Sequence, residues 1–128
     1  MINFTIKFQY GTPIYEQIVY AVKKAVVTEQ LKPGDRFPSV REMAKELRIN
    51  PNTAQKVVGH LARERLIEIK PGIGSIVSGL STATKAQRDK ILNNEVEKLI
   101  VESKRLSITK KEVLDAIERN WKLEDKKG

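Results

Sequence analysis

Four polar side chains that could form directed hydrogen bonds lie close together near the middle of the chain, within the segment NPNTAQK. Asn52 and Gln55 carry amides, Thr53 carries a hydroxyl and Lys56 carries an ammonium group. Amides can pair with adenine, lysine with guanine and threonine with several acceptors, so this set could read the edges of nucleic-acid bases. Any solvent-facing helix is also polar, so the surrounding elements decide between these two interpretations.

The helix that carries these side chains is predicted to begin at Asn50 and Pro51. Asparagine is a favoured N-cap because its side-chain oxygen accepts hydrogen bonds from the free amides of the first turn. Proline is favoured at the next position because its missing N–H would be unpaired there. Apolar residues then recur at helical spacing, at Ala54, Val57, Val58 and Leu61. The helix therefore has a buried side, and Asn52, Gln55, Lys56 and Arg63 lie opposite to it.

A shorter helix is predicted immediately before this one. Ser39 and Glu42 form an S-x-x-E capping box, in which each side chain binds the free amide of the other residue. The predicted buried stripe of this helix is Val40, Met43, Ala44 and Leu47. Only Arg48 and Ile49 separate the helix from the Asn50 cap. Two short helices joined this tightly cross at a steep angle, which is a helix-turn-helix arrangement.

The flanking segments complete the plan of a winged helix-turn-helix. Thr12 and Pro13 predict the start of a first helix, which Pro33 and Gly34 end. The segments LIEIK and SIVSG, joined by PGIG, predict two short strands in a hairpin. Residues 2–9 alternate apolar and polar side chains, which predicts a half-buried strand. The pattern leaves open whether that strand extends the hairpin sheet, covers the first helix or crosses to a partner subunit.

The C-terminal part is predicted to consist of two amphipathic helices. Thr109 and Glu112 form a second capping box that opens the last helix. Two helices of this size cannot bury a sufficient core alone, so they must fold back on the preceding domain or pair with another subunit. The predicted fold is mainly α with a small β wing, with a winged helix-turn-helix domain over residues 1–80 and a helical dimerisation region over residues 81–128. The predicted interface residues are Leu99, Val113, Ile117 and Trp121.

Composition narrows the class of function. The chain has 128 residues, a net charge of +8 and a pI of about 9.8. The excess of basic residues occurs in both halves, which suits a polyanionic partner, with membrane-surface binding as the competing reading. No apolar run approaches the ~18 residues of a membrane span, no signal-peptide pattern is present, and we expect a cytoplasmic protein.

The reactive residues that catalysis or metal binding would require are scarce. The chain has no cysteine, which excludes disulfides, thiol nucleophiles and thiolate metal sites. His60 is the only histidine, and no set of partners for a metal site is evident around it. We therefore expect no metal, no cofactor and no catalytic residues. A stripe that includes Val113 and Trp121 could bind a small-molecule effector, but apolar residues at this spacing more often form a core or a dimer interface.

The segment LKPGDRFPSVREMAKELRINPNTAQKVVGHLARERLIEIKPGIGSIV resembles the DNA-binding domain of the GntR family of bacterial transcription regulators. The resemblance covers roughly residues 13–77 and includes the P-G-D-x-x-P-S-x-R, N-P-N-T and G-x-G motifs. The N-P-N-T form and the short helical C-terminal part are more like the YtrA-type subfamily. The resemblance implies a dimeric repressor whose C-terminal helices form the dimer. Three positions depart from the family pattern, where Arg48 and Arg65 replace usual glycines and Ile73 replaces a basic or polar residue.

The resemblance also implies which residues contact double-stranded DNA. In the family, the arginine that matches Arg41 reaches the DNA. The serine that matches Ser39 lies beside a phosphate. In the wing, Lys70 is a candidate phosphate contact, and Gly72 and Gly74 would let the backbone approach a phosphate. The full predicted DNA-binding set is Ser39, Arg41, Asn50, Pro51, Asn52, Thr53, Gln55, Lys56, Lys70, Gly72 and Gly74. The hypothesis is a homodimeric repressor that binds an inverted-repeat operator. The alternatives are a protein-interaction module, which winged helices also form, and a non-specific architectural DNA binder.

Overall fold

The computed structural model describes residues 2–122. The chain divides after Leu80 into two compact units, which we call the first unit and the second unit. The final residues of the predicted dimerisation region, 123–128, lie outside the described residues.

The first unit contains three helices and a small sheet among its described residues. In chain order these are α1 (Ile14–Val27), β1 (Arg36–Phe37), α2 (Val40–Leu47), α3 (Pro51–Arg63), β2 (Ile67–Lys70) and β3 (Gly74–Val77). This order confirms the predicted helix-turn-helix followed by a β-hairpin. The hairpin is the wing of a winged-helix fold.

The sheet has one more strand than the sequence predicted. Its strand order is β1-β3-β2, and both pairs are antiparallel. In this register Arg36 lies opposite Ile76, and Lys70 lies opposite Gly74 across the hairpin. A strand of two residues is too short to show an alternating pattern, so β1 could be recognised only through its partner.

The core of the first unit lies between the three helices and the sheet. The apolar face predicted for α3 is buried, as are Ile18 and Val22 of α1, and Met43 of α2 is fully buried with them. The buried apolar side chains are Phe4, Ile18, Val19, Val22, Ala25, Val26, Leu31, Phe37, Met43, Ala54, Val57, Val58, Leu61, Ile67 and Val77. Burial of this set fixes which side of α3 faces outward.

The prediction of a strand over residues 2–9 is wrong. Phe4 is buried and its ring stacks on Phe37 with the centroids 5.8 Å apart, while Ile2 and Ile6 pack partly against the core. The segment nevertheless belongs to no strand. Alternation requires only one buried face, whereas a strand also requires a hydrogen-bonded neighbour, and this segment has none in the described sheet.

Thr12 does not cap the first helix as predicted. Helix α1 begins at Ile14, and its N-cap is Pro13, which has no side chain able to accept a hydrogen bond. The side chain of Gln17 instead ties the preceding turn to the helix, donating through Nε2 to the carbonyl oxygens of Gln9 and Thr12. The turn is therefore held by a residue inside the helix.

The second unit is helical. It contains α4 (Lys85–Asp89), a π-helical segment (Lys90–Glu95), α5 (Val96–Arg105) and α6 (Lys110–Trp121). The predicted capping box of Thr109 and Glu112 is present, and an equivalent box of Thr84 and Gln87 opens α4. The π-helical segment interrupts the first of the two amphipathic helices predicted for this part of the chain. The sequence pattern did not predict it.

Over residues 2–122, no helix has both the length and the apolar character that crossing a bilayer demands.

Candidate nucleic-acid interface

The start of α2 is held by a network of three side chains. Ser39 accepts a hydrogen bond from the Glu42 amide, and Glu42 accepts one from the Ser39 amide, at 3.1 and 3.0 Å. Arg36 donates both guanidinium ends to the same carboxylate, at 2.7 and 3.2 Å. The Arg36 guanidinium and the Ser39 amide lower the pKa of Glu42 to about 2. Arg36 is thus already paired, while Arg41 remains exposed in the first turn of α2.

The turn between α2 and α3 is strained at Arg48, where the family usually has glycine. Arg48 has φ 55° and ψ 49°, in the left-handed region that favours glycine. Its backbone N–H donates to the Ala44 carbonyl and closes α2. Arg65, the other position where the family usually has glycine, has φ 61°. Both arginines are exposed, so the strained backbone leaves their guanidinium groups outside the core.

Helix α3 begins as predicted and presents the predicted face. The Asn50 side chain accepts from the Asn52 amide at 2.7 Å, and Pro51 is the first helical residue. Asn52, Gln55 and Lys56 are exposed, while Thr53 is partly buried. No acidic residue lies in the first turn, so nothing there offsets the positive end of the helix dipole. This end of α3 can therefore accept an anion as well as present hydrogen-bonding groups.

Lys56 also makes a contact that the sequence did not reveal. Its Nζ atom lies 4.4 Å from the centroid of the Tyr15 ring, which belongs to α1. The Tyr15 hydroxyl is hydrogen-bonded to Nδ1 of His60 at 2.5 Å. Lys56 and His60 are one helical turn apart on α3, so the tyrosine lies between them. His60 is thus partly buried and links α3 to α1.

A second pair of contacts continues this connection between α1 and α3. Nε2 of His60 lies 2.8 Å from Oε2 of Glu64, and Oε1 of Glu64 lies 3.0 Å from Nζ of Lys23 in α1. Among the described residues Nε2 of His60 has no hydrogen-bond partner, so its contact with the Glu64 carboxylate is electrostatic. Partial burial raises the pKa of Glu64, but Lys23 and His60 outweigh it and the pKa is lowered overall.

The wing carries the predicted glycines in the conformations that require glycine. Gly72 has φ +78° and Gly74 has φ +113°, and the turn is closed by the Ile73 amide donating to the Lys70 carbonyl at 3.0 Å. Ile73 at the tip is 69% exposed. Lys70 lies 3.5 Å from the Glu68 carboxylate, a surface ion pair that contributes little stability. The ammonium group of Lys70 can therefore exchange that partner for another anion.

The ion pairs of the first unit leave an excess of positive charge on α2 and α3. Glu42, Glu64 and Glu68 are each paired with a basic side chain. Within residues 2–122, five exposed basic residues of the helix-turn-helix have no ion-pair partner, namely Arg41, Lys45, Arg48, Lys56 and Arg63. An exposed set of one sign attracts a polyanion and makes its binding sensitive to salt.

In the second unit, three of the four predicted interface residues line one apolar groove. The groove has a volume of about 330 Å³ and lies between α5 and α6. Leu99, Val113 and Ile117 line it, whereas Trp121 does not and is 79% exposed. None of the apolar side chains described in this unit is buried. The groove is an apolar surface that none of the described residues of its own unit covers, and exposed apolar surfaces can serve as interaction sites.

The described residues include no group of three or more histidine, aspartate or glutamate side chains able to hold a metal ion.

Comparison with known proteins places this arrangement in a family. Residues 14–77 match the family described as "Bacterial regulatory proteins, gntR family". The "Uncharacterized HTH-type transcriptional regulator YhcF" of Bacillus subtilis is 34% identical over 111 residues, which cover 87% of this chain and 92% of that protein. The "HTH-type transcriptional repressor YtrA" of the same organism is 37% identical over 94 residues, covering 73% and 72%.

The fold is also found in solved structures. The "Transcriptional Antiterminator from Listeria monocytogenes EGD-e" superposes with a TM-score of 0.80 and 27% sequence identity. The match covers 91% of this chain and 88% of that one. The likeness therefore extends through most of the helical second unit.

Proposed function

The chain belongs to the gntR family of bacterial regulatory proteins and is a DNA-binding transcription regulator of the helix-turn-helix type, and we propose that it is a homodimeric repressor of an inverted-repeat operator. The exposed polar face of α3, capped by Asn50 and placed directly after the turn from α2, carries this proposal. The repressor assignment is supported by the likeness to YtrA. In this proposal the role is one of binding without catalysis, and a chromosomal operator would require a cytoplasmic protein.

In the proposed complex the N-terminal turns of α3 enter the major groove. Asn52 and Gln55 would pair with base edges, and Thr53 and Lys56 would contact bases or phosphates. Ser39 and Arg41, at the start of α2, would hold the DNA backbone beside the groove. Pro51 and the Asn50 cap would orient the first turn, whose free amides favour a phosphate.

The wing would contact the backbone next to that groove. Lys70 would supply a positive charge, and Gly72 and Gly74 would let the turn approach the phosphates without side chains in the way. The exposed tip is the apolar Ile73. The wing would therefore add less salt dependence than α2 and α3 do.

A second copy of this chain would cover the groove between α5 and α6. The groove is lined by apolar residues of both helices, including Leu99, Val113 and Ile117. Trp121, at the end of α6, would extend the same interface. A two-fold dimer presents two recognition helices, which matches an inverted repeat with half-sites about one helical turn apart.

The test is selection of bound fragments from genomic DNA at near-physiological salt, followed by affinity measurements on the selected sequence. Replacing Asn52 or Gln55 by Ala should cost roughly 1–3 kcal/mol on the selected duplex and little on a scrambled one. Asn93→Ala, an exposed asparagine of the second unit, is the matched control and should change neither affinity.

The outcomes separate the alternative functions. A recovered inverted repeat supports the dimeric regulator. Fragments with no common sequence, or equal losses on both duplexes, would indicate a non-specific architectural binder. No enrichment together with tolerance of the Asn52 and Gln55 substitutions would indicate a protein-interaction module. Repeating the selection with small-molecule extracts would reveal an effector.

A further inference from the structure

Tyr15 makes contacts that bear directly on the recognition helix. The side chain belongs to the first turn of α1, yet its ring lies under the ammonium group of Lys56 at 4.4 Å from the centroid. The His60 ring meets the same tyrosine edge-to-face, with centroids 5.6 Å apart and an interplanar angle of 78°. Tyr15 is thus held between two side chains of α3 that are one turn apart.

The hydroxyl of Tyr15 fixes the position of that ring. It is hydrogen-bonded to Nδ1 of His60. On the other side of the same ring, Nε2 lies 2.8 Å from the Glu64 carboxylate. Lys23 of α1 holds Glu64 in turn. The tyrosine ring is therefore anchored at its far end by a chain of contacts that returns to its own helix.

We propose that Tyr15 is a positioning residue for DNA binding, which holds the Lys56 ammonium beside the outward face of α3 in a conformation ready to meet DNA. This inference rests on the proposed function, in which Lys56 contacts the operator. An exposed lysine otherwise populates many rotamers, and ordering it on binding costs conformational entropy. A ring that restricts those rotamers in the free protein reduces that cost.

The chemistry of the contact suits this role better than an ion pair would. Among the described residues Lys56 has no carboxylate partner, so its full charge remains available to a phosphate. A neutral aromatic face attracts the ammonium through its quadrupole without cancelling the charge. Arg36 shows the contrast, because both ends of its guanidinium are bound by Glu42.

The test is a double-mutant cycle on the selected operator, with Tyr15→Leu, Lys56→Met and the two combined. Tyr15→Leu should weaken binding about 2- to 5-fold for each bound protomer, the range of an exposed cation–π contact. The same substitution in the Lys56→Met background should have no further effect, because the group that is positioned is gone. Tyr15→Phe keeps the ring and should recover part of the loss.

Tyr20→Leu is the matched control. Tyr20 lies on the same helix, is 63% exposed and should tolerate the change without loss of operator affinity. A thermal melt of each variant shows whether it is folded. In the free protein, the NMR chemical shifts of the Lys56 side chain show whether it lies over the Tyr15 ring. Tyr15→Leu should move the Lys56 methylene resonances downfield, because the ring current that shields them is removed.

The outcomes distinguish this inference from the proposed function. If Asn52→Ala impairs operator binding but the Tyr15 and Lys56 effects simply add, the positioning role is overturned and the proposed function stands. Unshifted Lys56 resonances would also overturn it, without any DNA in the experiment. If the wild-type protein selects no sequence, the proposed function fails, and the role of Tyr15 in DNA binding fails with it.

Discussion

The two units of this protein differ in where their apolar side chains lie. In the first unit, three helices and a sheet enclose a continuous hydrophobic core that includes fully buried residues such as Ile18 and Leu61. In the second unit, the only buried residue among those described is Ser103, while residues such as Leu99 and Ile117 are exposed. Both units are nevertheless regular and capped by the same kind of box.

This difference shows that a well-formed helix does not require a core within its own unit. Capping boxes and ion pairs such as Lys111–Asp115 stabilise the helices of the second unit locally. Such terms are small compared with burial of apolar surface, so the helices need a partner for most of their stability. The first unit can be stabilised by its own chain, whereas the second depends on what covers it.

The largest expected effect is loss of packing in the first unit. Leu61→Ala removes a fully buried side chain and should destabilise the unit by about 2–5 kcal/mol, because a cavity remains. Denaturant unfolding followed by circular dichroism measures the change. Leu80→Ala, the same substitution at a residue that is 77% exposed, should stay within about 0.5 kcal/mol. Equal losses at both positions would contradict the assignment of the core.

The next effect concerns the second unit and self-association. Ile117→Glu places a carboxylate in the apolar groove of each copy, and we expect dimerisation to weaken roughly 100-fold or more, or about 2.7 kcal/mol. Light scattering across a dilution series measures it, and the fluorescence of Trp121, the only tryptophan, provides a second signal. Ile91→Glu, outside the groove lining, is the control. An unchanged dimer would place the interface elsewhere.

A smaller effect is expected at the one glycine inside a described helix. A β-carbon at Gly59 would meet only the end of the Arg63 side chain, at 3.4 Å. Gly59→Ala should therefore stabilise the first unit by about 0.5–1 kcal/mol and leave dimerisation unchanged. Thermal unfolding and light scattering measure the two quantities. A loss of stability would mean that α3 is more crowded there than the structure shows.

The smallest effect is a pH dependence that separates the two capping boxes. The pKa of Glu42 is lowered to about 2, so its stabilising contribution is complete above pH about 4.5 and is lost as pH falls towards 2. The amide and hydroxyl of Thr109 also lower the pKa of Glu112, in the second unit. We expect Glu42→Gln to reduce the pH dependence of helix content in acid more than Glu112→Gln does. The reason is that Glu42, unlike Glu112, is also bound by an arginine, Arg36. Acid titration of helix content in each variant measures this, and an equal reduction would contradict it.

Several features of the interface were predictable because they depend on residues close in sequence. The Asn50 cap, Pro51 and the box of Ser39 and Glu42 involve partners two to three residues apart. The family resemblance marked Arg48 as a position that usually has glycine, and the positive φ there agrees with that preference. The exposed face of α3 follows from the helical repeat of its apolar residues. The identity of the base contacts remains a prediction.

Other features could not be predicted because they join distant segments. The alternation of residues 2–9 correctly indicated that Phe4 and its neighbours face the core, but it could not show that no strand would pair with that segment. The pairing of β1 with β3 joins residues about 40 positions apart. A pattern of side chains records which residues prefer burial, and it does not record which segments meet.

The sequence by itself determined the two helices of the helix-turn-helix, the caps at Ser39, Asn50 and Thr109, the outward face of α3 and the family of this protein, since each depends on local spacing or on recognisable motifs. Only the tertiary structure decided that Tyr15 lies against Lys56 and that Arg36 forms an ion pair with Glu42. It also decided that no described part of the second unit covers that unit's apolar face. The physical reason is that hydrogen-bonded helices form between near neighbours, whereas side-chain contacts between elements exist only after the core has fixed where each element lies.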